Sequence, residues 1–124
     1  MTRKKFYDEY YKFIKPAIGL AEKAYVHGIS SLENEVFCID DEGFKEGLIL
    51  VIDEVEPYVI EEILSNRIAH IKDKNLRLLK TIQKRTVLGT QAGEKITVLY
   101  KVLSSLAGLP PKEEKKIWDL VFDD

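Results

Sequence analysis

Large apolar residues recur at steps of three and four along almost the whole chain, and the interruptions are prolines and glycines rather than hairpin turns. Residues three and four apart share one face of an α-helix, so this spacing writes one apolar stripe per helix. No Asn-Gly or Asp-Gly dipeptide occurs to turn a two-stranded hairpin. The pattern predicts an all-α chain.

The first stripe, Phe6, Tyr7, Tyr10, Phe13 and Ile14, marks an aromatic, basic helix over residues 1–15. Proline disfavours helical geometry in the residue before it, so Pro16 predicts a break at Lys15 and a second helix from Pro16 or Ala17. That helix is expected to end near Cys38, with Ala21, Ala24, Tyr25, Gly28, Leu32 and Val36 on one face. Asp40-Asp41-Glu42-Gly43 reads as a loop leading into a helix start, where acidic side chains suit the positive end of the dipole. Phe44, Leu48, Val51, Ile52 and Val55 follow with helical period, although the β-branched run Ile49 to Ile52 also suits a buried strand. Pro57 is placed to open the next helix. Its stripe, Ile60, Ile63, Leu64, Ile68 and Ile71, continues through Leu76, Leu79 and Ile82 as one long helix or as two joined near Lys72 to Asn75. Gly89 and Gly93 bracket a turn, Ile96 to Leu106 make a helix ending at Gly108, and Pro110-Pro111 restart the chain into a short helix over 111–122. The expectation is a single compact helical domain, 1–124, of about six helices, some short.

With 45% hydrophobic and 10% aromatic residues the chain can bury a core, which excludes a disordered class. The longest apolar run, Gly47 to Ile52, is far short of the roughly 20 residues that span a bilayer, so no membrane span is expected. One cysteine, Cys38, makes neither an internal disulfide nor a zinc cage; it reads as a small core filler in a reducing, cytoplasmic protein. The net charge of -2 conceals segregation. Residues 1–15 sum to +3, 16–66 to -10, 67–101 to +7 and 102–124 to -2. Such poles either neutralise each other or face separate partners.

Catalytic and cofactor chemistry finds little purchase. His27 and His70 stand alone without metal-ligand spacing, and the acidic runs at 40–42 and 53–56 read as helix-start and surface charge. Gly89 to Lys95 has the spacing of neither a Walker A nor a dinucleotide loop. The basic stretch Lys72 to Arg85 suits phosphate, but a pI near 5.8 argues against nucleic acid. No cofactor, metal or catalytic residue is assigned, and the chain is expected not to be an enzyme. A ligand pocket lined by Tyr25, His70 and Trp118 stays open as an alternative.

Three segments carry a resemblance. Phe44-Lys45-Glu46-Gly47-Leu48, Leu50-Val51, Asp53 and Glu56-Pro57 are similar to the cytoplasmic loop of MotA-type flagellar stator proteins, in the MotA/TolQ/ExbB proton channel family. Ala21 to Glu35 resembles the helix before that loop. Val87 to Glu94, Leu103-Ser104-Ser105-Leu106 and Pro110-Pro111 resemble the C-terminal tail, so the likeness runs in order through residues 17–112. In the family two membrane helices precede the loop and two separate it from the tail; here Ala69 to Arg85 joins loop directly to tail. Ion conduction therefore does not carry over. What the resemblance implies is a surface: a bacterial protein-interaction domain docking to the flagellar motor, with the rotor switch protein FliG as the partner.

By position Glu33 matches the family's acidic loop residue, while Tyr25 stands where an arginine is usual, and Lys23 lies on another side of the helix. With these, Arg67, Lys74, Arg77, Lys84 and Arg85 are the candidate partner-binding residues. The acidic stretch 33–62 is expected to present one docking face and the basic stretch 67–85 another. A homodimer through Phe6, Tyr10 and Phe13 is the second expectation, because the first helix has more aromatic residues than one stripe needs.

Overall fold

The computed structural model describes residues 1–123. These are helical throughout: α1 Arg3–His27, a 3-10 turn Ile29–Leu32, α2 Glu33–Val36, α3 Glu42–Ile52, α4 Pro57–Ala69, α5 Lys74–Ala92, α6 Ile96–Ala107 and α7 Pro111–Phe122. The all-α expectation holds with seven helices, and Ile49 to Ile52 belong to α3 rather than to a strand. No helix among the described residues is long and apolar enough to cross a membrane.

Most boundaries follow the local chemistry. Thr2, Asp41 and Asp73 cap α1, α3 and α5 by accepting bonds from backbone N–H groups of the first turn. Pro57 and Pro111 open α4 and α7, while Gly93 and Gly108 close α5 and α6 in the left-handed conformation. Gly89, expected in the turn before Gly93, lies inside α5.

Pro16 does not break the first helix. α1 runs through it to His27, with Phe6, Tyr10, Ile14, Ala17, Ile18 and Ala21 forming one buried stripe. An internal proline costs about 3 kcal/mol, whereas burying each large aliphatic side chain contributes about 1.5–3 kcal/mol. Ile14 and Ile18 on either side outweigh the proline, and Lys12, whose carbonyl loses its partner, is exposed to water. The helix then ends at Gly28 (φ 90°), ten residues before the expected stop at Cys38. Cys38 follows α2 in a turn and is exposed, so it is not a core filler.

α1 and α5 lie against each other through the centre of the molecule, and two clusters of buried residues form around them. One joins the first part of α1 to α5, α6 and α7 through Phe6, Tyr10, Leu79, Tyr100, Leu103 and Ile117. The other joins the second part of α1 to α2, α3, α4 and α5 through Ala24, Leu32, Val36, Phe44, Leu48, Ile60, Leu64 and Val87. The first cluster overturns the basis of the expected homodimer: Phe6 and Tyr10 have no exposed surface, and Phe13 packs edge-on against Phe44 at 4.9 Å. Of the α1 aromatic residues, Phe6, Tyr7 and Tyr10 pack with α6 and α7 and Phe13 packs against α3, while Tyr11 is 38% exposed.

The elements define two poles. The start of α1 meets the α4–α5 connection, where the Met1 amino group pairs with Asp73 and Asn75 Nδ2 donates to the Met1 carbonyl at 2.8 Å. At about 1.5 Å per residue, the 22 steps from Arg3 to Tyr25 put the other end of α1 roughly 33 Å away. That far pole holds the 3-10 turn, α2, the α3–α4 connection and the end of α5, tied in by Gln91 Nε2 donating to the Val55 carbonyl at 2.9 Å.

Candidate functional site

The segregated charges meet each other. Asp41 accepts from Lys80 Nζ at 2.6 Å, Glu46 takes the Arg67 guanidinium through two bonds of 2.9 and 3.1 Å, and Glu61 accepts from Lys84 Nζ at 3.2 Å. All three pairs join the acidic stretch to the basic one across α3, α4 and α5, so the two do not form separate faces. Exposed pairs of this kind contribute about 0–1 kcal/mol each, and their main effect is to set how the three helices align. Burial pushes the Asp41 carboxyl up, but bonds from Lys80, the Phe44 N–H and Gln83 outweigh it and hold the group below its usual value.

The other basic candidates are also placed by contacts within the chain. Arg85 forms a two-point pair with Glu94, both bonds 2.9 Å, and Arg77 donates to the carbonyls of Ile71 and Lys72, closing the α4–α5 connection. Lys74 projects from the first turn of α5, exposed and with no acidic partner among the described residues.

Lys23, Tyr25 and Glu33 all lie toward the far pole, Lys23 on the side of α1 that meets α2 and Tyr25 about 200° away around the helix. Lys23 pairs with Glu35, which ties α2 to the last turns of α1, and leaves Glu33 exposed. Tyr25 is not on the buried face with Ala21 and Ala24; it is 63% exposed, as is Val26 beside it. Phe37 is 72% exposed and shares a shallow recess with Glu33, Ile49, Ile52 and Asp53. A carboxylate and three large apolar side chains thus face solvent around one end of α1. An isolated exposed hydrophobe is ordinary, but several at one end of a molecule, one of them beside a carboxylate, match the composition of a protein contact surface.

Val26 and Phe37 are absent from the candidate residues drawn from the sequence. Gly28 is the signal that exposes them: a glycine at a helix end favours positive φ, and once α1 stops there the stripe through Val36 no longer fixes which way Phe37 points. The imagined pocket of Tyr25, His70 and Trp118 is not assembled. His70 ends α4 beside the opposite pole from Tyr25, and Trp118 packs against Tyr100 and Phe122 at 5.4 and 4.4 Å.

In sequence, Motility protein A of Treponema phagedenis is 27% identical to the chain over 88 residues, covering 71% of the chain and 34% of that protein. Motility protein A of Borreliella burgdorferi is 36% identical over 62 residues, covering 50% of the chain and 24% of that protein. The chain is MotA-like. It matches about a third or less of the length of these relatives. No family model matches it, and no solved structure does.

The MotA-like segments interlock in three dimensions. A Cβ on Gly47 would meet Val87 Cγ2 at 2.7 Å, so the glycine between Phe44 and Leu48 lets α3 seat directly against α5. Gly89 does the same for the α5–α6 turn, since a Cβ there would sit 2.7 Å from Leu99 and 2.6 Å from Glu94, the partner of Arg85. Gln91 fastens α5 to the α3–α4 connection. Gly47 and Gly89, with Glu46 and Glu94, therefore hold helices of the resembling segments in register.

Proposed function

We propose that this chain is a non-enzymatic, cytoplasmic protein-interaction module of the bacterial flagellar motor, docking through the pole formed by Tyr25, Val26, Glu33 and Phe37. The supporting observation is the placement of the chain connections. In MotA-type proteins membrane helices precede the loop and separate it from the tail; here the corresponding places, the start of α1 and the α4–α5 connection, lie together at one pole. The exposed side chains of Tyr25, Val26, Glu33 and Phe37 lie at the opposite end, roughly 33 Å away along α1. Such an arrangement presents one end of the helix bundle to a partner whether or not a membrane anchors the other.

The mechanism is apolar contact with Tyr25, Val26 and Phe37, oriented by the charge of Glu33. A rotor switch component such as FliG is the proposed partner, meeting Glu33 with a basic side chain. Association is then salt-sensitive, because the steering charge is at the rim, while its strength comes from the buried aromatic contacts. Co-purification from lysate of the source organism at low and moderate salt tests the proposal. Recovery of a rotor switch protein by the wild type, reduced by salt and by Glu33→Lys, supports it; equal recovery by Glu33→Lys, or none by the wild type, overturns it.

A further inference from the structure

The ion pairs of α3, α4 and α5 leave other charges over, and these sort to opposite ends of the molecule. At the pole where α1 and α5 begin, Arg3, Lys4, Lys72, Lys74 and Arg77 are exposed, and none has a carboxylate within 4.0 Å among the described residues. They come from two segments far apart in the chain, which the contacts of Met1 with Asp73 and Asn75 bring side by side. Asp73 is the sole acidic residue of segments 1–5 and 70–77, and its carboxylate is spent on the Met1 amino group and on the cap of α5. The Arg3 guanidinium lies 5.2 and 5.9 Å from the rings of Phe6 and Tyr7, and Arg77 donates to the carbonyls of Ile71 and Lys72. Such contacts hold both guanidinium groups in place without neutralising them.

The carboxylates of this half stand back from the end. Asp8 is five residues along α1 from Arg3, about 7.5 Å in, and Asp40 and Glu42 flank Asp41, whose partner Lys80 is six residues into α5, about 9 Å in. Each is thus separated from the end by about one Debye length at physiological salt. The far pole is the reverse. Glu33, Asp53, Glu54 and Glu56 are exposed there, and Lys95 in the α5–α6 turn offsets them only in part.

We propose that the basic end binds the surface of a lipid bilayer rich in anionic headgroups, standing the molecule end-on with its acidic pole, roughly 33 Å along α1, directed away from the lipid. Shape and charge favour a bilayer over other polyanions. The five side chains line none of the principal recesses between the helices, so no pocket gathers them on a single phosphate. A plane of negative charge meets this end alone, whereas a nucleic acid lying along the molecule also meets the carboxylates that repel it. The inference rests on charge placement and stands whether or not the far pole docks to the motor.

Sedimentation with lipid vesicles tests it, comparing phosphatidylcholine alone with phosphatidylcholine containing about 30% phosphatidylglycerol, at about 100 and about 500 mM salt. A basic side chain close to such a surface contributes about fivefold in partition, so Lys4→Gln combined with Lys74→Gln is expected to weaken binding at least tenfold. Lys15→Gln combined with Lys95→Gln removes the same net charge away from the basic end and is expected to leave binding within about twofold. All four lysines are exposed, so both double variants are expected to keep the wild-type urea midpoint. Binding to the anionic vesicles and not to the neutral ones, lost at the higher salt and weakened by the first pair alone, is the expected result. No binding to anionic vesicles, equal binding to neutral ones, or equal weakening by the two pairs overturns the inference. Displacement from the vesicles by about 10 mM inorganic phosphate, the mark of a discrete anion site, or tighter binding of duplex DNA at the same salt also overturns it.

Discussion

The two halves of the bundle share α1 and α5 yet are built differently. Around the first half of α1 the interior is aromatic and its polar atoms are paired: Tyr10 Oη meets Ser104 Oγ at 3.2 Å, and Tyr100 Oη donates to the Glu114 carbonyl at 2.6 Å. Around the second half the interior is mostly aliphatic, a glycine admits close helix contact, a buried glutamine oxygen is unpaired, and the most exposed aromatic side chains, Tyr25, Phe37 and Tyr58, reach solvent, whereas Tyr11 and Leu120 are the exposed large side chains of the first half. The first half is organised to close. The second carries the exposed pole, which is where recognition of a protein belongs, because uncovered apolar surface is what a partner completes.

Phe6→Ala is the most severe way to break this contrast. It empties a fully buried ring position in the closed half and is expected to lower stability by about 3–5 kcal/mol in urea unfolding. A loss below about 1 kcal/mol would place the centre of the core elsewhere. Gly47→Ala attacks the other half. With Val87 Cγ2 2.7 Å from the new methyl group, it is expected to cost about 1–3 kcal/mol, and Val87→Ala in the same chain to recover part of that loss. Strict additivity of the two changes would contradict the close α3–α5 seating.

Asp41 sharpens the comparison through pH. Its pKa is lowered in the folded protein, so its contribution is present above the unfolded value near 3.9 and is lost as pH falls through the lower folded value. Asp41→Ala, which also removes the cap of α3, is expected to cost about 0.5–2 kcal/mol near pH 7. Asp41→Asn is expected to keep much of the cap while flattening the loss of stability below about pH 4. Glu54→Gly is the smallest effect and the one of opposite sign. Glu54 closes α3 at φ 62°, with its N–H bonded to the Val51 carbonyl and that of Val55 to the Leu50 carbonyl, the position other helices here give to glycine. The substitution is expected to raise stability by about 0.5–1 kcal/mol, read as a higher urea midpoint; a lower midpoint would mean that the glutamate side chain contributes there.

Much of the fold is legible in the sequence because its helix ends carry their own chemistry. Asp41, Pro57, Gly108 and Pro111 each satisfy or forestall backbone groups at a terminus, and each boundary falls where the residue places it. Pro16 misleads because its local penalty is real but smaller than the burial of the stripe on both sides, a tertiary quantity that spacing alone does not show. The aromatic residues of α1 mislead for the same reason: Phe6, Tyr10 and Phe13 read as a dimer face until α6 and α7 are known to cover the first two and α3 the third. Charge segregation is visible in the sequence, but whether opposite stretches face each other depends on how α3, α4 and α5 assemble. At the candidate site Glu33 and Tyr25 are readable by position in the resemblance, whereas Phe37 emerges only when α1 ends at Gly28.

The central claim is that the far pole, and not the basic helix, meets the motor. Calorimetric titration of the purified protein with the rotor switch protein of its own organism tests it most directly, comparing the wild type with Phe37→Asp and Lys74→Glu. Both positions are exposed, so neither change disturbs the core. Saturable binding that Phe37→Asp weakens at least tenfold and Lys74→Glu leaves within about twofold is the predicted result. Binding lost with Lys74→Glu and retained with Phe37→Asp would contradict it.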